Sequence, residues 1–179
     1  MQPSVKSLFL QLEQQRANIL NLTQVINDSQ WTQRPAPGSW AMSEILSHVL
    51  TAEKLSILYM KKKSLGIATL KQTGWREQLK ISLLIVSQRL PGLKYKAPQQ
   101  IEQQTPAYPS QRALTEAWDE VRITLRELLE SLPPEHLSKM IYKHPFAGYL
   151  NATQAMVFFR EHLNHHKPQI VRCIKSLQP

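Results

Sequence analysis

A single cysteine, Cys173, stands among the 179 residues of this chain, so no intrachain disulfide can form and no cysteine-rich zinc site can be built. Any metal must take nitrogen and oxygen ligands. Long apolar runs are missing as well: nothing approaches the ~18 consecutive apolar residues that cross a bilayer. The N-terminal stretch Met1 to Lys6 lacks the apolar block and cleavage site of a secretory signal. A cytoplasmic chain with no membrane partner is the expectation. Acid is in short supply, with 13 Asp and Glu against 22 Lys and Arg and a net charge of +9. The imbalance is concentrated between Lys61 and Lys96, where nine basic residues meet one acid, Glu77. That segment can attract an anionic partner. Its only aromatics are Trp75 and Tyr95, however, and no nucleic-acid-binding signature accompanies them. A solvated basic surface is the better reading, and nucleic acid is not expected as a partner.

Strand alternation, internal repeats and low-complexity tracts are also absent, whereas helical periodicity recurs. From about Ser4 to Asn27, Leu8, Leu12, Ile19, Leu22 and Ile26 return at three- and four-residue steps. A proline-rich loop anchored by Trp31 and Trp40 follows. A second helix runs from Ala41 or Met42 to about Lys62, with Ile45, His48, Val49, Ala52, Leu55 and Tyr59 on its stripe. Trp75, Leu79, Leu83 and Val86 suggest a short helix between Lys71 and Leu90. The connection from Pro91 to Pro109 is longer than compact domains usually carry, and such loops often border a site. Ser110 to Leu132 forms a third long helix through Leu114, Trp118, Val121, Leu125, Leu128 and Leu129, stopped by Pro133 and Pro134. Glu135 to Leu150 reads as a linker whose His136 and His144 could each be a ligand, though surface or loop histidines are the better reading. Asn151 with Gln154 forms a capping-box variant that opens the fourth helix. The expected architecture is one all-α domain over residues 1–179: a four-helix bundle with a short extra helix, long connections and an open helix order.

Chemistry concentrates in Glu161 to Ile170, where three of the six histidines fall within five residues. At about 100° per residue, His162 and His166 lie one turn apart on one helix face. Ala155, Phe158, Phe159, Gln169, Ile170 and Cys173 surround that face, so the pair points inward, with His165 at its edge. Two readings compete. An inward histidine is often a core residue bonded to a carbonyl. Two imidazoles cannot both be charged on an apolar face without large cost, however, and a shared cation removes that problem if both are neutral. His48, inward on the second helix, could supply the third ligand. Cys173 is roughly 10 Å along the axis from His166, too far to share its metal, and reads as a small core residue. Pro168 removes one backbone hydrogen bond and suggests a kink just past His166. Glu161 turns away, and Glu44 and Glu53 sit beside His48, so no general base is assigned. Gln169, about a turn past His166, could orient a ligand or satisfy a backbone group.

Three stretches resemble the DinB-like superfamily: Gly38-Ser-Trp40-Ala-Met-Ser-Glu44-Ile-Leu-Ser-His48, His144-Pro-Phe-Ala-Gly148-Tyr-Leu150, and His162-Leu-Asn-His-His166-Lys-Pro-Gln169. Together they cover the entry to the second helix, the turn before the last helix and the closing histidine pattern of that family. The resemblance implies a helical bundle, His48, His162 and His166 as a metal triad, a divalent ion such as Zn or Ni, and often a homodimer. It also implies thiol chemistry, since family members include transferases and isomerases using low-molecular-weight thiols. Ala41 departs from the frequent Ser after the tryptophan, and Pro168 is an unusual neighbour for Gln169. The leading expectation is a metal-dependent thiol S-transferase or hydrolase acting on a small molecule. Behind it stand a non-enzymatic metal-binding bundle and a basic nucleic-acid-binding module.

Overall fold

The computed structural model describes residues 1–89, 101 and 104–178. Four long helices carry the architecture: α1 (Pro3–Thr23), α3 (Met42–Ser64), α5 (Gln111–Ser131) and α6 (Ala152–Leu177). Helix α2 (Asp28–Trp31) is a single turn, and α4 (Trp75–Arg89) is the short additional helix. Packing runs α1 to α6, α6 to α3, α3 to α5 and α5 back to α1, which closes a four-helix ring. Helix α4 lies outside that ring, against α6. Most of the long connection, residues 90–100 and 102–103, lies outside the described residues.

Local chemistry explains the boundaries. Helix α1 stops at Thr23, four residues short of the expected end, because Asn27 starts a new helix: its side chain accepts from Gln30 N at 2.9 Å while Gln30 returns a bond to Asn27 N. Leu22, expected on the inner stripe, consequently sits at the exposed end of α1. Trp31 is buried and its indole N–H donates to the Tyr108 carbonyl at 2.9 Å, which pins the chain entering α5. Ala41 has no side-chain acceptor for α3. Glu44 reaches back to accept from Ala41 N at 2.8 Å and pairs with Arg34, so half of the cap survives. Asn151 caps α6 reciprocally with Gln154, and α6 continues through Pro168.

Two expectations are corrected. The stretch before α6 contains a small antiparallel hairpin, β1 (Tyr142–His144) with β2 (Gly148–Leu150). Three-residue strands leave too little alternation to register as a pattern. Gly148 takes φ 75°, a left-handed value that lets the chain reverse after Pro145-Phe146-Ala147. Helix α4 also faces the other way from its expected stripe: Ile81 and Leu84 are buried, while Trp75, Leu79, Leu83 and Val86 are exposed.

Between α3 and α5 the core holds a charged pair. Glu53 accepts from Trp118 Nε1 at 2.9 Å and from Arg122 at 3.0 Å, all three being almost fully buried. Burial pushes the Glu53 carboxyl up, and Arg122 opposes it. Removing one partner would strand the other, so the pair fixes how α3 meets α5.

Candidate metal centre

The second turn of α3 and the middle of α6 face each other across the ring. His48 comes from α3, His162 and His166 from α6, and the three offer ligand nitrogens within 4.8 Å of one another. The His48 ring centroid is 5.3 Å from that of His162 and 5.0 Å from that of His166. Trp40 closes the α3 side with its ring edge-on to His48 at 5.3 Å, and Phe158 stacks on His162 at 5.4 Å. His48 is 8% exposed and His166 9%, while His162 is half-buried.

Burial sets the protonation. It pushes His48 and His166 down to about 4 and His162 well below its ordinary value, the neighbouring imidazoles adding to the shift at all three. All three rings are therefore neutral near pH 7, the state in which an imidazole offers a lone pair to a metal. Gln169 settles one tautomer. Its Oε1 lies 3.0 Å from His166 Nδ1, so Nδ1–H donates and Nε2 keeps its lone pair toward the cluster.

The donor set fits a metal. His162 Nε2 and His166 Nε2 stand 3.3 Å apart, two ring nitrogens converging on one point beside His48. Nitrogens about 2.0–2.1 Å from a tetrahedral ion would be separated by about 3.3 Å. Three imidazoles are also too few to close a tetrahedral shell, so a fourth position remains for a ligand from outside the protein. Beside His48 a cavity of about 390 Å³ runs between Trp40, Ser43 and Ser47 and the Thr105–Ala107 segment of the long connection. Ser47 Oγ is buried there with no hydrogen-bond partner among the described residues.

The other candidate residues separate from this cluster. His165, at the edge of the face, donates from Nδ1 to the Gln88 carbonyl at 2.8 Å and ties α6 to α4. His136 is half-buried on the turn Pro134–His136. His144, read as a surface or loop residue, is instead buried: Nδ1 accepts from Phe146 N at 3.1 Å and Ala147 N at 3.0 Å, and its ring meets Phe158 at 4.3 Å. A His-Pro-Phe-Ala-Gly turn can seat its own imidazole this way, the one signal in the sequence that this histidine is structural. Cys173 is a buried core thiol. Glu161 points away from the triad to Arg89 and Arg160. Burial raises its carboxyl, but those cations hold it below the usual range. Glu44, bound by Arg34, forms part of the cavity wall, and Glu53 is committed to α5. The bond from Gln169 to His166 and the packing of Trp40 on His48 could not be read from spacing, because both depend on rotamers.

A family model described as the DinB superfamily matches residues 11–170. Comparison with curated proteins gives no match, and comparison with solved structures gives none.

Proposed function

Because the chain belongs to the DinB superfamily and brings three neutral, inward-facing imidazoles together, we propose that it is a metal-dependent enzyme acting on a small molecule, as a thiol S-transferase or a hydrolase. The observation that carries this reading is the convergence of His162 Nε2 and His166 Nε2 at 3.3 Å beside His48. When bound, a divalent ion such as Zn or Ni supplies Lewis acidity at the position the three imidazoles leave free. The protein's own contribution is preorganisation. Gln169 holds the His166 tautomer and ring, while Trp40 and Phe158 brace His48 and His162. The cavity beside His48 gives a small substrate a place to sit, and its size is within the usual range for small-molecule sites. A low-molecular-weight thiol as cosubstrate belongs to the transferase branch of this reading.

The burial of His48 and His166 favours one second reading, an ion that only fastens α3 to α6. One experiment separates the two. Protein loaded with Zn or Ni is offered a chromogenic aryl halide with small thiols, and a p-nitrophenyl ester without them. Metal-dependent turnover that falls to background in His48→Ala, with the fold retained, supports catalysis. Loss of melting temperature in His48→Ala without any turnover in the parent supports the structural ion. Turnover that survives replacement of all three histidines by alanine rules out the metal mechanism.

A further inference from the structure

Helix α4 carries two apolar faces. Ile81 and Leu84 turn into the protein, and Trp75, Leu79, Leu83 and Val86 form a row along the opposite side, spanning about 80° of the helix circumference. These four are 73%, 51%, 60% and 57% exposed. Scattered exposed apolar residues are ordinary, but four aligned on the crest of one surface helix are not. Of the four tryptophans in the chain only Trp75 is exposed; Trp31 and Trp118 are buried and Trp40 is half-buried.

Charge borders this row with one sign. Arg76 and Lys80 follow it along one edge, the Arg76 guanidinium lying over the Trp75 ring at 5.5 Å. Lys80 extends toward Gly148 of the hairpin, whose neighbouring cross-strand pair puts Lys143 over the Tyr149 ring at 5.6 Å, both residues exposed. Arg89 stands at the far end, already engaged with Glu161. The only acid of α4, Glu77, lies on the side toward the core and accepts from Gly74 N at 2.8 Å.

These features select an occupant. A row of Leu and Val offers nothing to phosphates and stacked bases, so nucleic acid would engage the cations alone. A second copy would bring the same cations against its own. A convex, apolar crest edged by cations suits the boundary of a membrane, where aliphatic side chains and Trp enter the interfacial layer and Lys and Arg meet anionic headgroups. We propose that the outer face of α4 docks this chain onto an anionic lipid surface, with Trp75, Leu79, Leu83 and Val86 inserted and Arg76 and Lys80 on the headgroup phosphates. No helix among the described residues is long and apolar enough to cross a membrane, and the expectation of no membrane partner rested on such a span. A helix lying on the surface needs none.

The test is cosedimentation of the full chain with phosphatidylcholine vesicles, with and without phosphatidylglycerol. Binding roughly tenfold or more stronger to the anionic vesicles, weakened by salt and accompanied by a shift of tryptophan emission to shorter wavelength, is expected. Leu79→Glu with Leu83→Glu, both at exposed positions, should abolish it while circular dichroism stays unchanged; Arg76→Glu with Lys80→Glu should remove the preference for anionic lipid. No binding to either vesicle, or binding unchanged in both double variants, overturns the proposal. So does a parent dimer that the Leu79 and Leu83 variant splits into monomers in light scattering, since that outcome seats a second copy on the row. Tight, salt-sensitive binding to an oligonucleotide that the leucine variant leaves intact, without vesicle binding, likewise assigns the cations to nucleic acid.

Discussion

Helices α4 and α6 were legible in the sequence by the same rule, yet the rule identified the inward face of only one of them. In α6, the large apolar residues gather on one side with His162 and His166, and that side meets α1 and α3. In α4 they divide between two opposite sides, Ile81 and Leu84 on one and Trp75, Leu79, Leu83 and Val86 on the other. The larger set looks outward. A helix inside the four-helix ring must bury its dominant stripe, whereas a helix added against the ring needs only enough apolar contact to hold it there. In this chain, polar residues on an inward stripe mark the candidate metal centre, and apolar residues on an outward stripe mark a candidate docking face.

The sharpest way to break this comparison is truncation on the two sides of α4. Leu84→Ala, on the inner side, is expected to destabilise the chain by about 2–5 kcal/mol, and Leu83→Ala, its sequence neighbour, by no more than ~0.5 kcal/mol in urea unfolding. Equal costs would mean that both faces are packed. The inner polar face has its own signature in pH. Burial lowers His144, as it does His48 and His166, to about 4 from an ordinary value of 6.5. A group lowered in the folded state contributes stability that is complete above the unfolded value and is lost as pH falls through the folded one. The metal-free chain should therefore lose stability between about pH 6.5 and 4, with His144 alone accounting for up to about 3 kcal/mol. Urea titrations across that range should show a shallower dependence in His144→Gln. Gln169→Leu removes the acceptor behind His166 and is expected to weaken metal affinity about 10- to 100-fold, read by competition with a chelating dye, without a change of fold. At the start of α6, Asn151→Ala should cost about 1 kcal/mol in the same unfolding assay.

Why some of this could be read in advance and the rest could not has physical causes. The four long helices and the inward placing of His48, His162 and His166 follow from periodicity over many turns, which averages out local exceptions such as Leu22; the grouping of the three as one triad came from the family resemblance. The cap at Asn151 follows from a short-range bond between residues three apart. The hairpin at Tyr142–His144 and Gly148–Leu150 was hidden because its strands are too short for alternation to accumulate. The inward seat of His144 depends on two backbone N–H groups that converge only once that hairpin has turned. Glu44 and Glu53 sat beside His48 on the helix wheel, but Arg34 in the preceding loop and Arg122 on α5 drew their carboxylates elsewhere. The role of Gln169 waited on the rotamer of His166.

The His48, His162 and His166 centre is tested most directly by metal content. Inductively coupled plasma mass spectrometry of untagged protein should find about one divalent ion per chain, reduced to background in His162→Ala with His166→Ala. A parent chain that carries no ion after incubation with Zn or Ni, or a double variant that carries as much as the parent, would contradict it.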